Sequence, residues 1–265
     1  MGYNNLHAPP HHMNSEIRSP SMARLAREGI VLTNYYAYQI CGPSRASLLT
    51  GRLPGHGISE GMFSPAMPRG YNSKLTMLPA KLREAGYSTH ALGKWHCGFW
   101  QRRFLPTSRG FDCFTGYLSG SEDHFSQRTG DTCGGNKVIA TDLWQDDGDV
   151  SQPPGGRNAY GLNGTYDSYT YTQLAVDIIR SHAEKVRDKP LFLYFAMHNI
   201  HGPMQAEQRF LDMYDESMFP ARRTINAMVS TADESLANVT VALEEAGMAD
   251  DTLLVMVSDN GGALV

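Results

Sequence analysis

The chain contains few cysteines and few charged residues. Only four of its 265 residues are Cys, too few for a disulfide scaffold. None of them has the Cys-x-x-Cys spacing that is typical of zinc sites. Charged residues make up 19% and hydrophobic residues 41% of the sequence, which excludes a disordered chain and allows a buried core. The length is sufficient for one large α/β domain or two small ones.

Long apolar runs and basic runs are also absent. No apolar stretch is long enough to cross a bilayer, so no membrane span is expected. The net charge is −4, and no Lys/Arg run indicates a nucleic-acid partner, so a polyanion would need a local basic pocket. The first ten residues lack the basic start and apolar run of a signal peptide. Two sequons, at Asn163 and Asn238, nevertheless favour a glycoprotein of the secretory pathway, lysosomal or extracellular, whose leader is not in this sequence.

What is present is an alternation of helical and strand-like patterns. Helices are predicted at 20–29, 43–51, 78–86, 169–186 and 222–247, and strands at 30–38, 87–92, 191–197 and 253–257. Residues 98–165 are rich in Gly, Asp and Ser and are predicted to form long loops. The alternation indicates an α/β fold with a largely parallel sheet. Ligands collect at the carboxyl ends of such strands, where polar residues follow all four predicted strands: Cys41/Arg45, Lys94/His96, His198/His201 and Asp259/Asn260.

The segment that begins at Cys41 combines a thiol with a helix start. Pro43 suits a first helical position, so the helix begins directly after the cysteine. The free N–H groups and positive dipole end of such a helix suit a sulfate or a phosphate. Arg45 lies about one turn inside and is expected either to pair with the same anion or to brace the nucleophile. Alone, Cys41 would be interpreted as a core residue; its neighbours favour a nucleophile.

The run CGPSRASLLTGR, residues 41–52, matches the pattern C-x-P-S-R-x-x-L-x-T-G-R in full. It resembles the signature of the type I sulfatases, which lie within the alkaline-phosphatase-like superfamily. The resemblance covers nearly the whole chain, and stretches such as EAGYSTHALGKWHCG look closest to the arylsulfatase B (N-acetylgalactosamine-4-sulfatase) group. It implies a three-layer α/β sandwich with a mostly parallel central sheet, and an N-terminal catalytic domain spanning residues 1–265.

The resemblance also implies that a separate maturation enzyme oxidises Cys41 to formylglycine, an aldehyde. The hydrated aldehyde carries two hydroxyls on one carbon. One attacks the sulfur and becomes sulfated as the alcohol leaves; deprotonation of the other re-forms the aldehyde and expels sulfate. A serine would stay sulfated, because it has no such exit. The reaction is covalent catalysis in two easier steps.

The same resemblance implies roles for the residues of two motifs that contain histidine. In GKWH, residues 93–96, Lys94 is expected to bind the sulfate and His96 to be the partner of the formylglycine hydroxyl. In HNIHGP, residues 198–203, the family pattern selects His201 to bind the leaving oxygen or the sulfate as a proton donor. His198 is expected to be a helper or structural.

The metal site is predicted at SDNGG, residues 258–262. In isolation this sequence is a common turn, but beside the first motif it resembles half of the sulfatase calcium site. Asp259 and Asn260 offer hard oxygen ligands suited to Ca²⁺, with Mg²⁺ as an alternative, and Cys41, as formylglycine, is the third expected ligand. The metal would hold and polarise the formylglycine oxygen.

The sequence departs from the family at both ends. The family opens with an apolar strand that ends in a metal-binding Asp-Asp pair, which would precede Met1. A later lysine of the sulfate pocket and a small C-terminal domain would follow Val265. The chain is therefore expected to be truncated at both ends, to bind calcium poorly and to turn over slowly or not at all. Robust calcium-dependent activity of these 265 residues would refute that expectation.

The leading hypothesis is hydrolysis of sulfate esters, on a sulfated small molecule or glycan. A phosphatase or phosphodiesterase of the same superfamily is the second, although such relatives usually carry Ser or Thr in place of Cys41. A catalytically impaired sulfatase-like fragment or binding protein is the third. The absent acidic pair supports the third hypothesis, and the presence of Lys94, His96 and His201 opposes it.

Overall fold

The computed structural model of the chain describes residues 6–8, 12–148 and 156–262. It divides into two compact units. One comprises Met1–Gln39 with Asn199–Val265, and the other comprises Ile40–His198.

The helices and strands have the following bounds in chain order. The helices are α1 (Pro20–Glu28), α2 (Cys41–Thr50), α3 (Leu78–Glu84), α4 (Asp167–Lys185), α5 (Gln208–Leu211) and α6 (Pro220–Glu245), with short 3₁₀ turns at Arg102–Phe104, Pro106–Arg109, Tyr160–Leu162 and Ala249–Asp251. The strands are β1 (His7–Ala8), β2 (His12–Met13), β3 (Ser88–Lys94), β4 (Cys113–Tyr117), β5 (Arg128–Cys133), β6 (Asn136–Thr141), β7 (Trp144–Asp146), β8 (Arg157–Asn158) and β9 (Leu191–Ala196).

The unit Ile40–His198 is built on a five-stranded sheet in the order β8-β7-β4-β3-β9. Strand β3 runs parallel to both β4 and β9, whereas β7 and β8 add antiparallel pairs at one edge. The three parallel strands end at Lys94, Tyr117 and Ala196, which lie side by side. The segments that follow these residues therefore leave the sheet at the same end, the carboxyl end of the parallel strands. Within it Gly116 pairs with Gly93, where a Cβ on Gly116 would lie 2.0 Å from the Gly93 carbonyl oxygen.

Helices cover both faces of this sheet. One hydrophobic cluster contains Leu49 of α2 and Trp95, and Tyr194 of β9 packs against it. A second cluster contains Tyr171 of α4, and the next residue of β9, Phe195, packs against that one. Successive residues of a strand point to opposite faces, so the two clusters are the two interfaces of a helix–sheet–helix sandwich, as predicted. The sheet is mixed rather than mostly parallel, because β7 and β8 join it by antiparallel pairing.

The other unit is organised around α6. Asp233 of α6 accepts hydrogen bonds from the backbone N–H groups of Ser21 (3.0 Å) and Met22 (2.7 Å). These donors lie in the first turn of α1, where backbone N–H groups have no partner within the helix. The carboxylate therefore caps α1 from a neighbouring helix.

All five predicted helices are confirmed to within about three residues at each end, as are the strands predicted at 87–92 and 191–197. The strands predicted at 30–38 and 253–257 are wrong, because neither segment pairs with another strand among the described residues. Ile30 is 91% and Leu253 is 89% exposed. A β-branched, apolar pattern forms a strand only where a neighbouring strand supplies hydrogen bonds and packing.

The loop prediction for 98–165 is also wrong over much of its length, since this region holds β4 to β8. Strands β5 and β6 form a hairpin that closes through Gly134 and Gly135, with φ of 57° and 83°. Two consecutive residues with positive φ are what a tight hairpin turn requires.

Candidate active site

Cys41 is the first residue of α2. Ile40 before it is extended, and the N–H of Ser44 donates to the Ile40 carbonyl at 3.2 Å, which closes the first helical turn. Pro43 falls within this turn, where its missing N–H costs no hydrogen bond. The 6% exposed Cys41 therefore lies at the positive end of a ten-residue helix, which suits an anion.

The imidazole of His96 faces the Cys41 side chain. Its Nδ1 lies 3.3 Å from the Cys41 Sγ. His96 has φ of 54°, uncommon for a residue other than glycine, and its N–H donates to the Leu118 carbonyl at 3.2 Å. A Cβ on Gly120 would lie within 2.9 Å of the imidazole ring. Backbone contacts on two sides therefore hold His96 beside the Cys41 side chain.

Arg45 lies inside α2 and contacts two strands of the sheet. Its guanidinium Nη1 donates to the Lys94 carbonyl at 2.8 Å and to the Tyr194 hydroxyl at 3.5 Å. Of the two roles predicted for Arg45, these contacts support bracing, since they join α2 to the ends of β3 and β9. Lys94 is 3% exposed, and a buried cation at the end of β3 is suited to hold an anion.

The other cysteines are not equivalent to Cys41. All four are free thiols. Burial raises the pKa of Cys97 to about 12, although the nearby charges of Arg45, Arg109 and Lys94 oppose the shift. Cys97 therefore stays a protonated core thiol at neutral pH.

Sequence reasoning missed one residue that contacts the nucleophile. The Met62 sulfur lies 3.7 Å from the Cys41 Sγ, and Met62 is 49% exposed. Its loop is held by the Tyr71 hydroxyl, which donates to the Gly61 carbonyl at 2.9 Å. No motif marks Met62, because the contact depends on how the loop folds back.

A second missed feature is a buried cluster at the start of α4. The Asp167 carboxylate lies 3.0 Å from His124 Nδ1 and 2.5 Å from His198 Nδ1, and all three side chains are fully buried. Burial alone would raise the pKa of Asp167, but hydrogen bonds from the two imidazoles hold it at about 2. His198 is thus placed in a hydrogen-bonded core, in agreement with its predicted structural role.

Among the residues that the structure describes, this cluster is the one group of three or more His, Cys, Asp or Glu side chains whose ligand atoms lie close enough together to hold a metal ion. Its candidate ligand atoms fall within 4.8 Å of one another. Nearby, Glu122 accepts a hydrogen bond from the Tyr171 hydroxyl at 2.9 Å. Burial, together with the charges of Asp167 and Asp142, raises the pKa of Glu122 well above its ordinary value.

The remaining predicted site residues belong to the unit with α6. His201 is exposed, and its Nδ1 donates to the Gly202 carbonyl at 2.8 Å. Asp259 and Asn260 are consecutive and partly buried in a bend, where the Ser258 hydroxyl donates to the Asn260 carbonyl at 2.6 Å. Their carboxylate and amide oxygens fit a hard cation such as Ca²⁺ or Mg²⁺. A thiol at Cys41 does not fit one, whereas an oxygen on the oxidised residue does.

Within the described parts of the chain, no helix is both long and apolar enough to cross a membrane.

Comparisons with known proteins agree on one family. The family model described as Sulfatase matches residues 1–265. Mouse arylsulfatase J is 39% identical over 249 residues, covering 94% of this chain and 39% of that protein. The structure of Ps i-CgsB in complex with k-i-k-neocarrahexaose superposes with a TM-score of 0.78 at 26% identity, covering 94% and 53% of the two chains. A Vibrio parahaemolyticus protein of the alkaline phosphatase superfamily shares the fold (TM-score 0.53, 17% identity, 92% and 48% covered). The chain thus spans about half or less of the length of these proteins.

Proposed function

Because the chain belongs to the sulfatase family, we propose that it forms the nucleophile-bearing part of a sulfuric ester hydrolase. The observation that carries this proposal is the placement of Cys41 at the start of α2, 3.3 Å from His96 Nδ1. Arg45 and Lys94 are buried in the same unit, and the sequence from Cys41 meets the sulfatase pattern in full.

The proposed reaction follows from these positions. The Cys41 Sγ stands in for an oxygen of the hydrated formylglycine. One hydroxyl of the hydrate loses its proton to solvent and attacks the sulfur, and the S–O bond to the alcohol breaks. Lys94 stabilises charge on the sulfuryl oxygens. His96 then accepts the proton of the second hydroxyl, the C=O bond re-forms and the C–O bond to sulfate breaks. We assign protonation of the leaving alcohol to His201, on the sequence pattern.

A divalent cation, Ca²⁺ or Mg²⁺, would be held by oxygens of Asp259, Asn260 and the oxidised Cys41. When bound, it would polarise the formylglycine oxygen. The donor chemistry of Asp259 and Asn260 supports this assignment. Conversion of Cys41 would require a formylglycine-generating maturation enzyme as a partner.

We propose a sulfated glycan or a sulfated small molecule as the substrate. The glycan is supported by the complex of a structural relative with k-i-k-neocarrahexaose. The complete sulfatase signature at Cys41 disfavours the phosphatase alternative.

Mass spectrometry of the peptide that contains Cys41 tests the mechanism. After co-expression with a formylglycine-generating enzyme, we expect formylglycine at position 41. Cys133, an exposed thiol outside the motif, should stay cysteine in the same digest and serves as the internal control. An unmodified thiol at Cys41 would contradict the proposal.

Secretory localisation, which the two sequons support, has its own test. Asn163 is exposed in a turn, whereas Asn238 lies within α6, and glycosylation favours surface loops. Expressed behind a secretion leader, the protein is expected to carry one N-glycan, seen as a gel shift on glycosidase treatment. Asn163→Gln should abolish the shift and Asn238→Gln should preserve it. A secreted wild-type protein with no shift would count against this localisation.

A further inference from the structure

The charge of the chain is unevenly distributed around the candidate active site. The whole sequence has 23 basic and 27 acidic residues, yet the segment 61–111 has eight basic residues and one acidic residue, Glu84. The basic residues are Arg69, Lys74, Lys81, Arg83, Lys94, Arg102, Arg103 and Arg109. This segment contains Lys94 and His96 of the proposed sulfate site; within it Lys81 pairs with Glu84, and Arg83 pairs with Asp112. A local basic region of this kind suits an anion with several charges.

An aromatic and cationic platform lies in the same segment. Trp100 is 43% exposed, and its ring stacks on Phe104 with centroids 6.0 Å apart and planes at 25°. The guanidinium of Arg103 lies 5.9 Å from the Trp100 centroid and 5.0 Å from that of Phe104. Arg102 and Arg103 are both exposed. The platform thus presents an exposed indole with the Arg103 guanidinium beside it, and Arg102 adds a second exposed guanidinium at the neighbouring chain position. Guanidinium groups can pair with carboxylate or sulfate oxygens.

Buried contacts fix the backbone of this platform. The Trp95 indole Nε1 donates to the carbonyls of Gly98 and Phe104, both at 3.0 Å. A Cβ on Gly70 would lie 2.5 Å from the Phe104 ring, which shows how closely the neighbouring loop packs. Trp95 lies between Lys94 and His96, so one residue anchors both the site and the platform. Such preorganisation lowers the entropic cost of binding a ligand.

The platform is near the site along the chain. Trp100 follows His96 by four residues, so their Cα atoms lie within about 14 Å of each other. Both residues belong to the unit Ile40–His198, and a sulfated oligosaccharide is long enough to span such a distance.

We propose that Trp100, Arg102 and Arg103 form an accessory subsite for a second, anionic sugar of a polyanionic glycan. The ring of Trp100 would stack on the sugar face, and the two arginines would pair with its sulfate or carboxylate. This inference rests on the proposed function, and it narrows the substrate to a chain of at least two charged sugars. A glycan is favoured over a nucleic acid because the proposed reaction at Cys41 acts on a sulfate ester, which a nucleic acid lacks.

Calorimetry with a sulfated hexasaccharide on the whole chain tests the subsite. Trp100→Ala is expected to weaken binding about tenfold, as is typical for an aromatic anchor, and Trp100→Phe to restore it to within about threefold. Replacing Arg102 and Arg103 with Ala should weaken binding about tenfold and flatten its salt dependence. Arg187→Ala, an exposed arginine at the end of α4, is the matched control and should bind like the wild type.

Two outcomes would overturn the subsite. One is wild-type affinity in Trp100→Ala and in the double arginine variant; the other is equally tight binding of a single-stranded DNA of the same charge. Failure of the proposed function is distinguished by a separate assay. If Cys41 stays an unmodified thiol after co-expression with the formylglycine-generating enzyme but the platform variants still lose hexasaccharide binding, the proposed reaction is wrong and the subsite stands.

Discussion

Cys41→Ser is expected to stop the reaction after one sulfate transfer. The serine oxygen would occupy the position of the Cys41 Sγ, at the start of α2 and 3.3 Å from His96 Nδ1. It can attack sulfur once, but its carbon carries no second hydroxyl to expel the sulfate. The steady-state kcat should fall by roughly 10³-fold or more, as for loss of a nucleophile. Single-turnover assays on a small aryl sulfate should release at most one equivalent of phenol, and the sulfate should be found on Ser at position 41.

Two further variants serve as controls for this result. Cys41→Ala should show neither turnover nor the single release, because it has no nucleophile. Cys133→Ser, at an exposed thiol at the end of β5, should keep wild-type activity. Repeated turnover by Cys41→Ser at the wild-type rate would show that the reaction does not need an aldehyde at this position.

Much of this site could be predicted from sequence because its residues lie in short, dense motifs. The signature at Cys41 and the GKWH run each combine several chemically specific positions, and β9 is an apolar run. The carboxyl ends of parallel strands then bring Lys94 and His96 to one edge of the sheet. The 3.3 Å approach of His96 to Cys41 does not follow from strand topology, because the strand predicted before Cys41 does not form; it depends on how α2 packs on the sheet.

The buried cluster of His124, Asp167 and His198 could not be predicted in the same way. Its members are 43 and 31 residues apart, and only the fold joins them. Asp167 also has an ordinary explanation, since an acidic residue in the first turn of a helix is common. Strand β4 was missed for a related reason: Gly116 suggests a loop, but it is needed where β4 packs against Gly93. The Gly134-Gly135 pair was a usable hairpin signal.

The largest effect on stability is expected from Asp167→Asn. The carboxylate accepts hydrogen bonds from two fully buried imidazoles, whereas the amide has one oxygen for two donors and turns its NH₂ group toward one of them. Loss of one of these buried hydrogen bonds should lower the free energy of unfolding by about 3 kcal/mol or more, as measured by urea titration at pH 7. Asp177→Asn is the matched control, because Asp177 is exposed on the same helix; it should change stability by less than about 0.5 kcal/mol.

The pH dependence separates this effect from a simple loss of packing. The pKa of Asp167 is about 2, below its ordinary value of 3.8. Its stabilising contribution is therefore present above about pH 4 and is lost as the pH falls through 2. Asp167→Asn has no carboxylate at this position, so the difference in unfolding free energy between wild type and variant should shrink by about 2 kcal/mol between pH 5 and pH 2. If this difference in unfolding free energy stays constant from pH 5 to pH 2, the charge of Asp167 does not contribute to stability, and the variant loses only packing.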